Sequence, residues 1–107
     1  MTQYFEDESY QAQSYNEVYN GQKHKHHLTH DAIAGAAAYE GMKMYQEHCA
    51  KNGKPGSHQQ AKDLLAAFAA AAATNLIETK GLDALDKHKA QQLAKQQAEH
   101  AVDQKGY

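Results

Sequence analysis

The pattern of apolar and polar positions first becomes regular between residues 29 and 52. Thr29 suits the N-cap of a helix, and Leu28 and Ile33 occupy the two positions of a hydrophobic staple around it. Gly53 suits the end of the helix, and Pro55 cannot continue it. The pattern therefore predicts a first helix over residues 29–52.

Two further helices follow from similar signals. Ser57 opens a capping box that starts a second helix over residues 57–80, and Gly81 takes the position after its end. A third, more polar helix is predicted over about residues 83–104, where the apolar side of the 3.6-residue period is formed by Leu82, Leu85, Ala90, Leu93, Ala94 and Ala101. Short connections favour antiparallel neighbours, so we expect an all-α fold built as an antiparallel three-helix bundle.

Residues 1–22 show no helical or alternating apolar period. Four of the seven tyrosines lie in this stretch, among Gln, Ser, Asn and acidic residues. We interpret residues 1–22 as a Tyr-rich N-terminal arm, flexible or laid on the surface, and residues 23–107 as a single helical domain. The tyrosines could cover the arm's own helices or stack on a partner.

The composition changes the picture of the core. The chain has 20 Ala but only 13 Leu, Ile, Val and Phe together, which favours closely packed alanine-rich helices with little buried apolar area per residue. A partner chain or a bound ligand would add stability to such a core. We therefore expect a homo-oligomer, with Leu64 and either Ala71 or Ile77 as a candidate interface, or a protein or small-molecule partner.

Charge and hydropathy exclude several classes of function. The net charge of −2 and the lack of a basic run disfavour a nucleic-acid partner. Neither a secretory signal nor an apolar run of about 18 residues is visible, so we expect no membrane association. The single cysteine cannot form an internal disulfide, which favours a cytoplasmic, reducing location.

Histidines supply the candidate chemistry. In helical projection His48 lies on the inward face of the first helix, His58 at the edge of that of the second, and His100 on that of the third. Antiparallel packing would gather these three and Cys49 at one end of the bundle. Three imidazoles and a thiol suit a tetrahedral site for zinc or another transition metal. The alternative is a set of hydrogen-bonded histidines at the bundle edge.

A second histidine cluster is expected near the start of the first helix. His26 with His30, and His27 with Asp31, are four residues apart, a spacing at which two side chains on a helix can reach one ion. Neighbouring lysines repel cations, so the alternative is surface metal affinity without a biological role.

Catalysis has little support in the sequence. No catalytic motif of known mechanics is present, and neither Glu40 nor Cys49 has an assignable partner for acid, base or nucleophile chemistry. An enzyme, such as a small hydrolase or isomerase built on Glu40 and a histidine, is therefore the weakest of the three classes considered.

Several segments resemble one protein family in their order and spacing. They are NEVYN at 16–20, HDAIAGAAAYEGMK at 30–43, GKP at 53–55, SH at 57–58, AKDLLAAF at 61–68 and ETKGLD at 78–83. In these the chain is similar to the CipC-like antibiotic response proteins of filamentous fungi. It departs from that pattern in residues 102–107, in the histidines at 24–27 and in the alanine run at 69–73.

The resemblance implies a small, intracellular, stress-associated protein, and it supplies no catalytic residues. We therefore expect a non-enzymatic stress-response or antibiotic-response protein that acts by binding. The alternative is a metal-binding or cofactor-binding helical protein that uses the histidines at the bundle ends.

Overall fold

The computed structural model describes residues 4–6, 9–19, 29–80 and 86–105. They contain four helices: α1 (Tyr10–Tyr19), α2 (His30–Asn52), α3 (His58–Lys80) and α4 (Lys87–Lys105). No β-strand occurs in these ranges. The all-α class that the sequence predicts is confirmed.

Helix α2 lies at the centre because its first half is apolar on every side. All seven residues from Ala32 to Ala38 are buried. At its start, Oγ1 of Thr29 accepts the backbone N–H of Ala32 at 3.1 Å. At its end, the N–H of Gly53 donates to the Cys49 carbonyl at 2.8 Å, and the φ of 86° at Gly53 is one that glycine adopts without strain.

Two glycines of α2 show how closely its neighbours approach. A Cβ on Gly41 would lie 2.7 Å from the backbone nitrogen and 2.8 Å from Cα of Ala69, so α2 and α3 pack backbone against backbone. A Cβ on Gly35 would lie 3.0 Å from the Tyr10 ring and 3.1 Å from Oγ of Ser14 in α1. Small residues at these positions therefore permit both helix contacts.

Helices α3 and α4 contact each other at both of their ends. The imidazole Nε2 of His58, in the first turn of α3, lies 3.0 Å from Oδ1 of Asp103 near the end of α4. At the opposite end, Nζ of Lys87 forms an ion pair with Oε2 of Glu78 at 2.9 Å. The two helices therefore run beside each other along most of their length.

Alanine dominates the shared core, as its abundance suggests. Residues of α3 and α4 that are buried in it are Ala61, Leu65, Ala66, Ala69, Ala72, Ala73, Leu76, Ile77, Ala90, Ala94, Ala98, Ala101 and Val102. The spacing of those in α4 follows the helical period, which places them on a single face.

The expectation that residues 1–22 contain no helix is wrong for Tyr10–Tyr19, which form α1 and pack on α2. The residues that α1 buries are Ala12, Ser14 and Val18. The side chains of Ala12 and Ser14 are small, and that of Ser14 is also polar, so the contact with α2 leaves no strong apolar stripe in the sequence.

Some predicted features are altered or lie outside the described residues. Ile77 is 3% exposed within a single chain, so it cannot belong to an exposed oligomer stripe. Leu28, Gly81 and the predicted start of the last helix near residue 83, with Leu82 and Leu85, lie outside the described residues. The described part of the last helix begins at Lys87.

Candidate functional site

The segment that precedes α1 is anchored by two aromatic side chains. Tyr4 and Phe5 are only 3% and 5% exposed. The ring of Tyr4 meets the ring of Tyr45 edge to face, with centroids 5.6 Å apart. The backbone N–H of Phe5 points at the sulfur of Met42 at 3.2 Å. Residues 4–6 therefore form a fixed part of the fold.

Helix α4 faces this segment with a row of polar side chains. Gln97, His100 and Gln104 recur at spacings of three and four residues, which aligns them on one face. The amide of Gln97 accepts a hydrogen bond from the amide of Gln11 at 2.8 Å. The ammonium group of Lys105 forms an ion pair with the Glu6 carboxylate. These two contacts hold the two walls together.

An open groove of about 530 Å³ lies between the two walls. Its lining is apolar near the N-terminal segment and polar along α4, and it comprises Tyr4, Phe5, Glu6, Ser9, Gln11, Gln96, Gln97, His100, Ala101, Gln104 and Lys105. We call this feature the α4 groove. Its volume falls in the range of small-molecule sites, roughly 300–1,000 Å³.

The groove holds one carboxylate and one ammonium group, Glu6 and Lys105, and these neutralise each other. Its other polar side chains are uncharged amides, two hydroxyls and one imidazole. Burial raises the pKa of Tyr45 well above its usual range, and the neighbouring Tyr4 phenol acts in the same direction. Tyr45 therefore stays a neutral phenol at physiological pH.

The structure spreads the predicted metal residues over different surroundings. The His48 ring lies 5.7 Å from the Phe68 ring, and Cys49 is buried. His58 faces Asp103, whereas His100 lines the α4 groove. His100 is exposed, so its predicted inward position is wrong. Within the described ranges, no three His, Cys, Asp or Glu side chains are grouped so that they could hold a metal ion.

The contact between α3 and α4 carries a small charge network at the surface. Nε2 of His58 lies 3.0 Å from Oδ1 of Asp103, and Nζ of Lys62 lies 3.0 Å from Oδ2 of the same carboxylate. The hydrogen bond from His58, and then that from Lys62, hold the pKa of Asp103 below its usual value. All three side chains are partly or largely exposed, so the network serves mainly to join the helix ends.

The second predicted cluster is only partly described. His26 and His27 lie outside the described residues. His30 accepts the backbone N–H of Asp86 on Nε2 at 2.8 Å, and Asp31 is exposed. His30 therefore ties the start of α2 to the residue that precedes α4, where Oδ1 of Asp86 accepts the N–H of Lys89.

A tyrosine cluster joins α1 to α2. The Tyr15 ring lies 4.5 Å from that of Tyr19 and 5.0 Å from that of Tyr39, measured between centroids. Nζ of Lys43 donates to the Tyr15 hydroxyl at 2.9 Å, which raises the pKa of Lys43. Burial, and then the nearby Glu40 carboxylate, raise the pKa of Tyr19 well above its usual range. These contacts agree with tyrosines covering the chain's own helices.

Sequence reasoning missed the α4 groove. Two signals in the chain could have indicated it. The Tyr4-Phe5 pair stands out in a polar segment, and an aromatic pair of that kind is typically buried. The polar residues 97, 100 and 104 share a face of α4 with Ala101, but the pairing of that face with residues 4–11 is a long-range contact that no local pattern shows.

Comparison with known proteins gives one match. A family model described as "Virulence factor CipC-like" matches residues 14–105. No curated protein and no solved structure matches the chain significantly. Among the described residues, no helix is both long and apolar enough to cross a membrane.

Proposed function

Because the chain belongs to the CipC-like virulence factor family, we propose that it is a virulence-associated or stress-associated protein that acts by binding a small molecule in the α4 groove. The observation that carries this proposal is the groove itself. It combines a volume of about 530 Å³, an apolar end formed by Tyr4 and Phe5, and hydrogen-bonding side chains along α4. That combination is typical of ligand sites.

The groups that line the groove favour binding over chemistry. Amides supply both donors and acceptors but do not transfer protons at physiological pH. The Glu6 carboxylate is paired with Lys105, which leaves the His100 imidazole as the acid–base group of the lining. The alternative function, metal or cofactor binding at the bundle ends, gains no supporting contact from the described residues.

The architecture that we propose for this function is an antiparallel three-helix bundle of α2, α3 and α4, with the N-terminal arm laid on its surface. The contacts of His58 with Asp103 and of Lys87 with Glu78, at opposite ends of α3 and α4, support the arrangement. We further propose a cytoplasmic location, which follows from the family resemblance, and assembly into a homo-oligomer.

A thermal-shift screen of a small-molecule library tests the binding proposal. A ligand that binds only the folded protein raises the melting temperature, and it adds about 2.7 kcal/mol at a concentration of 100 times its Kd. The matched variants are Gln104→Trp, which places an indole in the groove, and Gln92→Trp, an exposed position of α4 outside it.

We expect compounds that stabilise the wild type and Gln92→Trp equally but stabilise Gln104→Trp far less. Both tryptophans replace exposed side chains, so the two variants should melt at nearly the same temperature without ligand. The proposal fails if no compound stabilises the wild type, or if Gln104→Trp responds as the wild type does.

A further inference from the structure

The charge balance of the α4 groove restricts its ligand. Glu6 and Lys105 form an ion pair with each other across its rim. An anionic ligand would compete with Glu6 for Lys105, and a cationic ligand would compete with Lys105 for Glu6. Either one would leave one of these two charges without its partner at the exposed rim of the groove, which disfavours an ionic ligand modestly. A neutral ligand leaves the ion pair intact.

The glutamines define the polar edge of that ligand. Gln96 and Gln104 are exposed on the groove side of α4, while Gln97 is held by Gln11. A primary amide has two donor hydrogens and one acceptor oxygen, so it pairs best with a group that also donates and accepts. Hydroxyl and amide groups have that property, whereas ethers, halides and hydrocarbons lack the donor.

The opposite end of the groove defines the ligand's apolar part. Tyr4, Phe5 and Ala101 line it, and each presents only a small exposed part of its surface, 3%, 5% and 5%. Aromatic edges and a methyl group pack well against another ring. A flat apolar body can therefore lie against these residues while its polar substituent faces α4.

We propose that the α4 groove binds neutral aromatic compounds that carry a hydroxyl or primary amide group. This inference rests on the proposed function and adds the chemical class of the ligand. The same chemistry occurs on free small molecules and on the tyrosine or asparagine side chains of a peptide, so the test includes a source of each kind.

The test uses three probes of the same size and shape that differ in charge: neutral 4-hydroxybenzamide, the anion 4-hydroxybenzoate and the cation 4-hydroxybenzylamine. Each is titrated into the ¹⁵N-labelled full chain, and the backbone and glutamine side-chain resonances are followed. An uncharged peptide, N-acetyl-tyrosine amide, is the fourth probe. Probes this small should bind with a Kd on the order of a millimolar.

The expected result is a shift of the groove resonances by 4-hydroxybenzamide at a concentration severalfold lower than by either ion. The side-chain amides of Gln96 and Gln104 should move, and that of Gln92 should not. Gln104→Trp should abolish the shifts while Gln92→Trp preserves them. If the peptide binds as well as the free amide, the ligand's source is a polypeptide, and the class of ligand is supported.

Two results overturn the inference, and they differ in what they leave standing. If an ion shifts the groove resonances as readily as the neutral probe, the proposed ligand class is wrong but the groove is still a binding site. If neither these probes nor the hits of the thermal-shift screen move the groove resonances, the ligand class and the proposed function both fall.

Discussion

Replacing Phe5 with alanine tests whether the N-terminal segment is a structural wall of the groove. Phe5 is 5% exposed, so the substitution removes a buried ring. A phenylalanine buries about 150–250 Å², which at about 25 cal/mol per Å² is worth roughly 4–6 kcal/mol as an upper estimate. The extended-chain reference overstates the area that folding buries, so the measured loss should be smaller. We expect Phe5→Ala to lose about 2–4 kcal/mol of unfolding free energy.

Urea unfolding followed by circular dichroism measures this loss as a change in midpoint at a constant slope. The melting temperature should fall by at least about 10 °C, since 1 kcal/mol corresponds to about 4–8 °C for a domain of this size. Asn16→Ala is the control, because Asn16 is an exposed residue of α1 and its substitution should stay within about 0.5 kcal/mol of the wild type.

A Phe5→Ala variant within about 0.5 kcal/mol of the wild type would refute the reasoning. It would mean that residues 4–6 contribute no more than a loose tail would. In that event the groove would lack one of its two walls.

Four further predictions concern the helices, the surface charges and the assembly. Gly41→Ala should destabilise the protein by about 1–2 kcal/mol in urea unfolding. The steric overlap of a Cβ 2.7 Å from the Ala69 nitrogen should cost more than the roughly 1 kcal/mol gained in helix propensity. Equal or higher stability would contradict the close approach of the two helices. The pKa of Asp103 is lowered in the folded state, so its contribution to stability is present above the ordinary carboxyl pKa of about 4 and is lost as pH falls. Asp103→Asn should therefore narrow the difference in unfolding free energy between pH 6 and pH 3. An unchanged difference would refute this. If the predicted metal site exists, metal analysis of protein purified without an affinity tag should find about one metal ion per chain, and His48→Ala and His58→Ala should each lose it. A metal-free native protein would eliminate the site. Sedimentation should detect a homo-oligomer, and a monomer at high concentration would remove that proposal.

The ends of the long helices are local features, and the sequence could show them. Thr29 accepts the N–H of Ala32, Ser57 accepts the N–H of Gln60, and Gly53 has a positive φ, each in agreement with its residue type. These interactions span only a few residues, so the local pattern contains all the information needed to place them.

The sequence indicates helix α1 only indirectly. Its buried residues are small, so no stripe marks it, but α2 carries an indirect signal. Ala32 to Ala38 are apolar on every side, and a helix of that kind needs neighbours all round, which two other long helices do not provide. The unbroken apolar stretch at residues 32–38 therefore predicts an additional covering element, although it does not identify that element.

The α4 groove and the positions of the histidines depend on contacts between distant residues. Gln11 meets Gln97, and Glu6 meets Lys105, across more than 80 residues of sequence. A helical projection treats each helix alone and cannot show that the exposed face with His100 lies beside the N-terminal segment. The same projection places His100 inward because His100 shares a face with Leu93, and Leu93 is only partly buried.

The most direct test of a ligand site in the α4 groove is an isotope-filtered nuclear Overhauser measurement on the full chain with 4-hydroxybenzamide bound. Ala101 and Phe5 line the apolar end of the groove, so their methyl and ring protons should show cross-peaks to the aromatic protons of the ligand. Cross-peaks confined to other surfaces, such as the tyrosine cluster around Tyr15, would contradict the account.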